Sequence, residues 1–290
     1  MAMQNDDPMT DTPATLCAPD RNKTCFACCP PIRPPGYEHL QYPNEIKRLL
    51  RENTASLRKT DRSLSPITGF SCWALGYLDS GFKRIGCLLH PSQNHGDDLR
   101  FRVDYGDKCS RESCVEAAIF SQLSPAAKDF WLRLSDGLDS FSYSSRSLNP
   151  LFRILGWGAP VLTLLAAAEK EDAPAATSIL ETHPFFKTTL SPRANAYLLR
   201  VLVTPAHVEL LRKAPFRRRF EELSGRLCRD LPLKAPGSSG APYVHSLPMD
   251  SDFLDFLRLG CRITRLDEEE AASLKEFTDH ELAQLRKELA

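Results

Sequence analysis

The chain carries no net charge: 37 Lys and Arg are matched by 37 Asp and Glu, so no global field draws it toward nucleic acid. It also has no long apolar run. The longest, residues 159–168, has about half of the roughly 20 residues that a membrane helix needs. Residues 1–15 carry Asp6, Asp7 and Asp11 and lack the basic start and apolar core of a secretory leader. Together these absences predict a soluble cytoplasmic protein with no membrane partner and no evident nucleic-acid partner. There is no glycine-rich phosphate loop, no His-Glu-x-x-His helix and no Gly-x-Ser-x-Gly elbow. The commonest routes to phosphoryl transfer, metalloprotease and serine-hydrolase chemistry are thereby excluded, and whether the chain is an enzyme stays open. No internal repeat or long low-complexity tract is present.

What is present is cysteine, unevenly spread. Eight of the ten fall early: Cys17, Cys25, Cys28, Cys29, Cys72, Cys87, Cys109 and Cys114. Reduced thiols gathered from separate loops are what a tetrahedral zinc ion or an iron–sulfur cluster requires, since each takes about four soft anionic donors. Structural disulfides and free core thiols are the competing readings, and compartment decides between them. Cys25-x2-Cys28 has knuckle spacing, but the second knuckle of a zinc ribbon is missing. Cys28 and Cys29 are adjacent, and side chains of neighbours generally point apart, which suggests two centres or one ligand and one buried thiol. All eight are candidate ligands for zinc or iron, mononuclear or as a cluster. His90 and His95 are secondary candidates with a loop-packing role as the plainer alternative. Cys228 and Cys261 read as isolated thiols packing as small hydrophobes.

The fold class expected is mainly α, with an irregular Cys-rich N-terminal metal-binding module containing a short β-hairpin, followed by a multi-helix domain. The organisation is a flexible N-terminus (1–16), a Cys-rich chelating module (17–123), a helical domain (124–234), a flexible loop (235–242) and C-terminal helices (243–290). Proline-rich residues following Cys29 rule out helix, and a metal crosslink would supply stability that burial cannot. Asn44 is placed as cap of a helix over 45–57 with Ile46, Leu49, Leu50 and Leu57 inward. Apolar runs on either side of Asp79-Ser80-Gly81 predict a hairpin that brings Cys72 and Cys87 side by side, to share a site with the Cys25 knuckle. Leu99, Phe101 and Val103 alternate as in a half-buried strand. Cys114 is expected near a helix start capped by Ser110 or Ser113. Ser124-Pro125, Ser191-Pro192 and Thr204-Pro205 announce later helices, as do Pro160, Pro174 and Pro215. Further helices are placed at 216–230, 251–259 and 268–289, and Arg217, Arg218 and Arg219 read as a solvated face beside Glu221 and Glu222. Trp73, Trp131 and Trp157 read as core residues.

The run Cys28-Cys29, then Cys72-Trp73-Ala74-Leu75-Gly76-Tyr77-Leu78-Asp79, Cys87-Leu88-Leu89-His90-Pro91 and Cys109 resembles the CxxCxxCC family of YkgJ type. Those bacterial proteins are described as zinc- or iron-chelating. The resemblance covers about residues 17–114 and implies metal ligation by these cysteines. Cys17 lies eight residues before Cys25 where the family has three or four, and His90 stands where arginine is usual. The cysteine order also resembles that of flagellin lysine N-methylases, without a methyl-donor motif. Three functions follow as expectations: a metal-binding protein, an iron–sulfur enzyme of redox or group-transfer type, or a protein-interaction module stapled by metal.

Overall fold

A computed structural model describes residues 14–29, 41–59, 72–103, 114–169, 178–235 and 240–289. Cys109, Ser110, Ser113 and Pro174 lie outside the described residues. The described chain is mainly helical with one two-stranded antiparallel sheet, in agreement with the expected class. It divides into two units: Met1–Ser121 with Gly137–Asn149, and Gln122–Asp136 with Pro150–Ala290.

The first unit is built on helix α1 (Tyr42–Lys59) and the hairpin of β1 (Leu75–Tyr77) and β2 (Ile85–Cys87), registered Leu75 to Cys87 and Tyr77 to Ile85. Asn44 lies inside the first turn of α1 and does not cap it. Ile46 and Leu50 are buried against Cys72, Ala74, Leu75, Tyr77 and Ile85, with Leu49 and Leu57 partly buried beside them. Helix polar groups also grip the strand. The Asn53 side chain donates to the Leu75 carbonyl at 2.9 Å, and Thr54 Oγ1 accepts from the Tyr77 amide at 2.8 Å. Such a close approach requires glycine at 76, where a Cβ would lie 2.6 Å from Thr54 Oγ1. The turn is longer than Asp79-Ser80-Gly81 alone: Asp79 Oδ1 accepts from the Lys83 and Arg84 amides at 3.0 and 2.7 Å, and Phe82 takes a positive φ of 54°.

Residues 99–103 are not a strand. Arg100–Arg102 form a turn of 3-10 helix, because the Asp98 carboxylate accepts from the Arg100 amide at 3.0 Å and binds its guanidinium at 2.6 Å. Leu99 and Val103 still reach the core, four residues apart as on a helical turn, whereas Phe101 is exposed. The period-two pattern was satisfied by a different backbone. Helix α2 (Val115–Ser121) and the short α3 (Ser140–Ser144) complete this unit.

The second unit holds α4 (Pro125–Leu132), α5 (Pro150–Leu155), α6 (Ala159–Ala168), α7 (Ile179–Thr182), α8 (Pro192–Leu202), α9 (Ala214–Lys234), α10 (Ser251–Asp255) and α11 (Glu268–Leu289). Ser124 caps α4 by accepting from the Ala127 amide at 3.3 Å, and Asp267 and Glu270 form a reciprocal capping box at the start of α11. Pro205 opens a 3-10 helix running to Arg212. The π-helical turn Phe256–Gly260 follows α10 directly. Trp131 and Trp157 are fully buried, the former donating from its indole nitrogen to the Leu162 carbonyl at 3.0 Å. Phe185 packs on Trp157, Phe216 and Phe220 at ring-centroid distances of 5.0, 5.5 and 5.2 Å. Arg218 and Arg219 pair with Glu222 and Glu288, so that face of α9 is charge-balanced. Among the described residues no helix is long and apolar enough to cross a membrane.

Candidate metal centre

Residues 16–29 are irregular, and their fastening comes from α3. The Ser140 hydroxyl accepts from the Thr24 and Ile85 amides, each at 3.3 Å, joining the cysteine segment to β2. One turn on, Ser144 Oγ accepts from the Phe26 amide at 2.9 Å, and Tyr143 donates its hydroxyl to the Leu16 carbonyl at 2.9 Å. Thr24 adds a bond of its own, donating to the Ile85 carbonyl at 2.6 Å. Serines at i and i+4 share one helix face, so α3 presents two hydroxyls in line to a segment that has few backbone partners. Protein hydrogen bonds therefore supply part of the order that the sequence seemed to leave to a metal. No sequence signal marks these three side chains, because a Ser-rich stretch between helices carries no long-range pattern.

On this frame Cys17 and Cys25 are tied by a backbone bond, the Cys25 amide donating to the Cys17 carbonyl at 2.9 Å. The Ala27 amide donates to Cys25 Sγ at 3.5 Å, as expected of a knuckle whose amides stabilise thiolate charge. Cys114 is itself the cap of α2: its sulfur accepts from the Ala117 amide at 3.3 Å. Cys72, Cys29 and Cys87 meet the apolar core of the hairpin, Cys72 buried within it and the other two packed against it.

The electrostatics link the thiols to one another, most strongly through the adjacent Cys28 and Cys29. Burial pushes the Cys25 thiol from its ordinary 9.0 up to about 12; the Ala27 amide opposes this, and the charges of Cys17, Cys28 and Cys114 add to it. Burial likewise lifts Cys114 to about 11, against the Ala117 amide, with Glu116, Cys17 and Cys28 raising it further. Cys17 is raised by burial and by Cys28, while Arg100 pulls it down. Cys17, Cys25, Cys28 and Cys114 thus act on one another. Cys29 is held well above the ordinary thiol range by its hydrogen bond with Cys28 and by burial, and then by the charges of Cys28, Cys87 and Cys72. The same bond draws Cys28 down, aided by Arg100 and Arg146.

The adjacent Cys28 and Cys29 share a turn closed by the Cys29 amide on the Phe26 carbonyl at 2.9 Å, and each shifts the other's thiol pKa in the opposite direction. Cys72 and Cys87 act on Cys29, the residue just past the knuckle, while the charges felt by Cys25 come from Cys17, Cys28 and Cys114. His90 serves as a cap, its Nδ1 accepting from the Ser92 amide at 3.1 Å, and His95 occupies a turn at φ 55°. Cys17, Cys25, Cys28, Cys29 and Cys114 are free thiols. Among the described residues no three His, Cys, Asp or Glu donors stand close enough together to hold a metal ion.

No family model, curated protein or solved structure matches this chain.

Proposed function

We propose that the first unit is a thiolate metal-binding module taking zinc or iron, the latter alone or as an iron–sulfur cluster. What supports this reading is that seven described cysteines lie on three segments of the first unit, residues 16–29, the hairpin and the start of α2, and that those of different segments influence one another's thiol pKa values. Cys17, Cys25, Cys28 and Cys114 form one donor set. Cys29, Cys72 and Cys87 form the start of another, for which Cys109 is the remaining early thiol. The chemistry of the set fits a soft, thiophilic cation: every donor is a thiol, and several are penalised as isolated buried thiolates, a penalty that a cation at the centre would offset. Ligation requires the sulfurs to draw to within roughly 4 Å of one another, so binding is coupled to local closure of the loops. The resemblance of Cys28-Cys29 and the later cysteines to the YkgJ type supports the same reading. A reducing, cytoplasmic setting belongs to the proposal, because only reduced thiols ligate.

The test is metal analysis and the visible spectrum of anaerobically purified protein. Bound zinc with no visible colour supports a structural site, and a broad band near about 400 nm supports an iron–sulfur cluster. Protein that is folded, metal-free and unable to take up either ion overturns the reading.

A further inference from the structure

The second unit contains a thiol pair that the sequence concealed. Cys228 on α9 and Cys261 lie 33 residues apart in sequence, yet their sulfurs approach to 3.6 Å, Cys261 donating to Cys228. Neither is an isolated core thiol, as their separate positions had suggested. Cys261 is fixed from both sides. Its amide donates to the Phe256 carbonyl at 3.0 Å, closing the π-helical turn, and Arg262 after it takes a left-handed φ of 64°. Gly260 packs so tightly that a Cβ would sit 3.1 Å from the Phe256 ring. Inserted π turns and left-handed residues such as Arg262 cost energy, and they recur where a side chain must be aimed. Cys228 is half-buried, and Cys261 is buried behind it. Four residues after Cys228 stands Pro232, which has no amide to give the Cys228 carbonyl.

We propose that Cys228 and Cys261 form a redox-active dithiol that a small hydroperoxide converts to an intramolecular disulfide. The step balances. The Cys228 thiolate attacks one oxygen of hydrogen peroxide; a sulfur–oxygen bond forms, the oxygen–oxygen bond breaks, and hydroxide leaves to be protonated as water. The Cys261 thiol loses its proton and attacks the sulfenic sulfur; the disulfide forms, the sulfur–oxygen bond breaks, and a second water leaves. Two thiols and one peroxide give one disulfide and two waters. The environment assigns the two roles. Cys228 is drawn toward thiolate by the bond from Cys261, against burial, and also by Ser224 and the Arg229 charge, while the same bond and burial keep Cys261 protonated. The more accessible sulfur attacks, and the buried one resolves.

The experiment treats the full chain with hydrogen peroxide, blocks remaining thiols, digests with trypsin and follows the peptides spanning 227–229 and 259–262 by mass. These peptides report on this pair alone, whatever the N-terminal cysteines do. The expected result is a linked peptide pair two hydrogens lighter than the separate thiol peptides, reversed by dithiothreitol and formed at least about tenfold faster than in the urea-unfolded chain, because the fold holds the sulfurs together. In Cys261→Ser, Cys228 should stop at sulfenic acid and be trapped by a dione reagent. Absence of the linked pair in folded protein overturns the proposal. So does a rate no greater than in the unfolded chain, a comparison that holds even if the variant fails to fold.

Discussion

In the first unit, residues 16–26 are fastened by the hydroxyls of Ser140, Tyr143 and Ser144, whereas in the second Trp157, Phe185, Phe216 and Phe220 pack ring against ring. Hydrophobic burial scales with the area removed from water, and ring pairs add edge-to-face contacts to it. Hydrogen bonds to an irregular segment are directional, and each lost acceptor leaves a buried donor unsatisfied. The first unit thus has order that depends on a few named side chains, and it is also where the thiols collect. The second has order in depth, with its own thiol pair held by a rigid turn.

The comparison can be broken most severely in the aromatic cluster. Phe220→Ala, at a fully buried ring, should destabilise the second unit by about 3–5 kcal/mol, read as a lowered denaturation midpoint. A loss below about 1 kcal/mol would mean that the rings are not its principal support. Next comes Gly76→Ala, which places a methyl 2.6 Å from Thr54 Oγ1 and should cost about 1–3 kcal/mol in the first unit, with hydrogen exchange accelerating in β1. Ser144→Ala removes the acceptor of the Phe26 amide and should cost about 1–3 kcal/mol locally. Faster exchange of the Phe26 amide, with the second unit unchanged, is the expected signature.

A pH dependence sharpens the contrast from the other side. Burial, with the Asp279 bond adding and Lys275 opposing, raises Tyr197 from 10.0 to about 12. The folded value lies above the unfolded one, so the contribution is whole below pH 10 and is lost as pH rises through about 12. Alkaline titration of unfolding should show the second unit weakening across that window, and Tyr197→Phe should flatten the slope. The smallest effect expected is at a cap: Ser124→Ala should cost about 1 kcal/mol.

Several local signals in the sequence proved sound, although Asn44, read as a cap, lies inside the first turn of α1. The hairpin around Asp79 and the Ser124-Pro125 start each depend on residues within a few positions of one another, and each is present. Buried Trp131 and Trp157 follow from size and apolarity alone. The alternation at Leu99, Phe101 and Val103 misled because two core contacts four residues apart, Leu99 and Val103, suit a helical turn as well as a strand. The Asp98 carboxylate decided for the turn. What stayed hidden was contact at long separation. Ser140 reaches Thr24, Tyr143 reaches Leu16 and Cys228 reaches Cys261 across 116, 127 and 33 residues, and no periodicity encodes such meetings. Nor does anything in its sequence mark Gly137–Asn149 as belonging with the first unit. The cysteine crowding was legible, but the proposed division into Cys17, Cys25, Cys28 and Cys114 beside Cys29, Cys72 and Cys87 has no counterpart in their spacing along the chain.

The central claim is that the early thiols hold metal and the late pair does not, and metal content per chain in two double variants tests it most directly. Cys25→Ser with Cys28→Ser should lose bound zinc or iron relative to the parent chain, while Cys228→Ser with Cys261→Ser should retain all of it. Unchanged metal in the first variant, or loss in the second, would contradict the account.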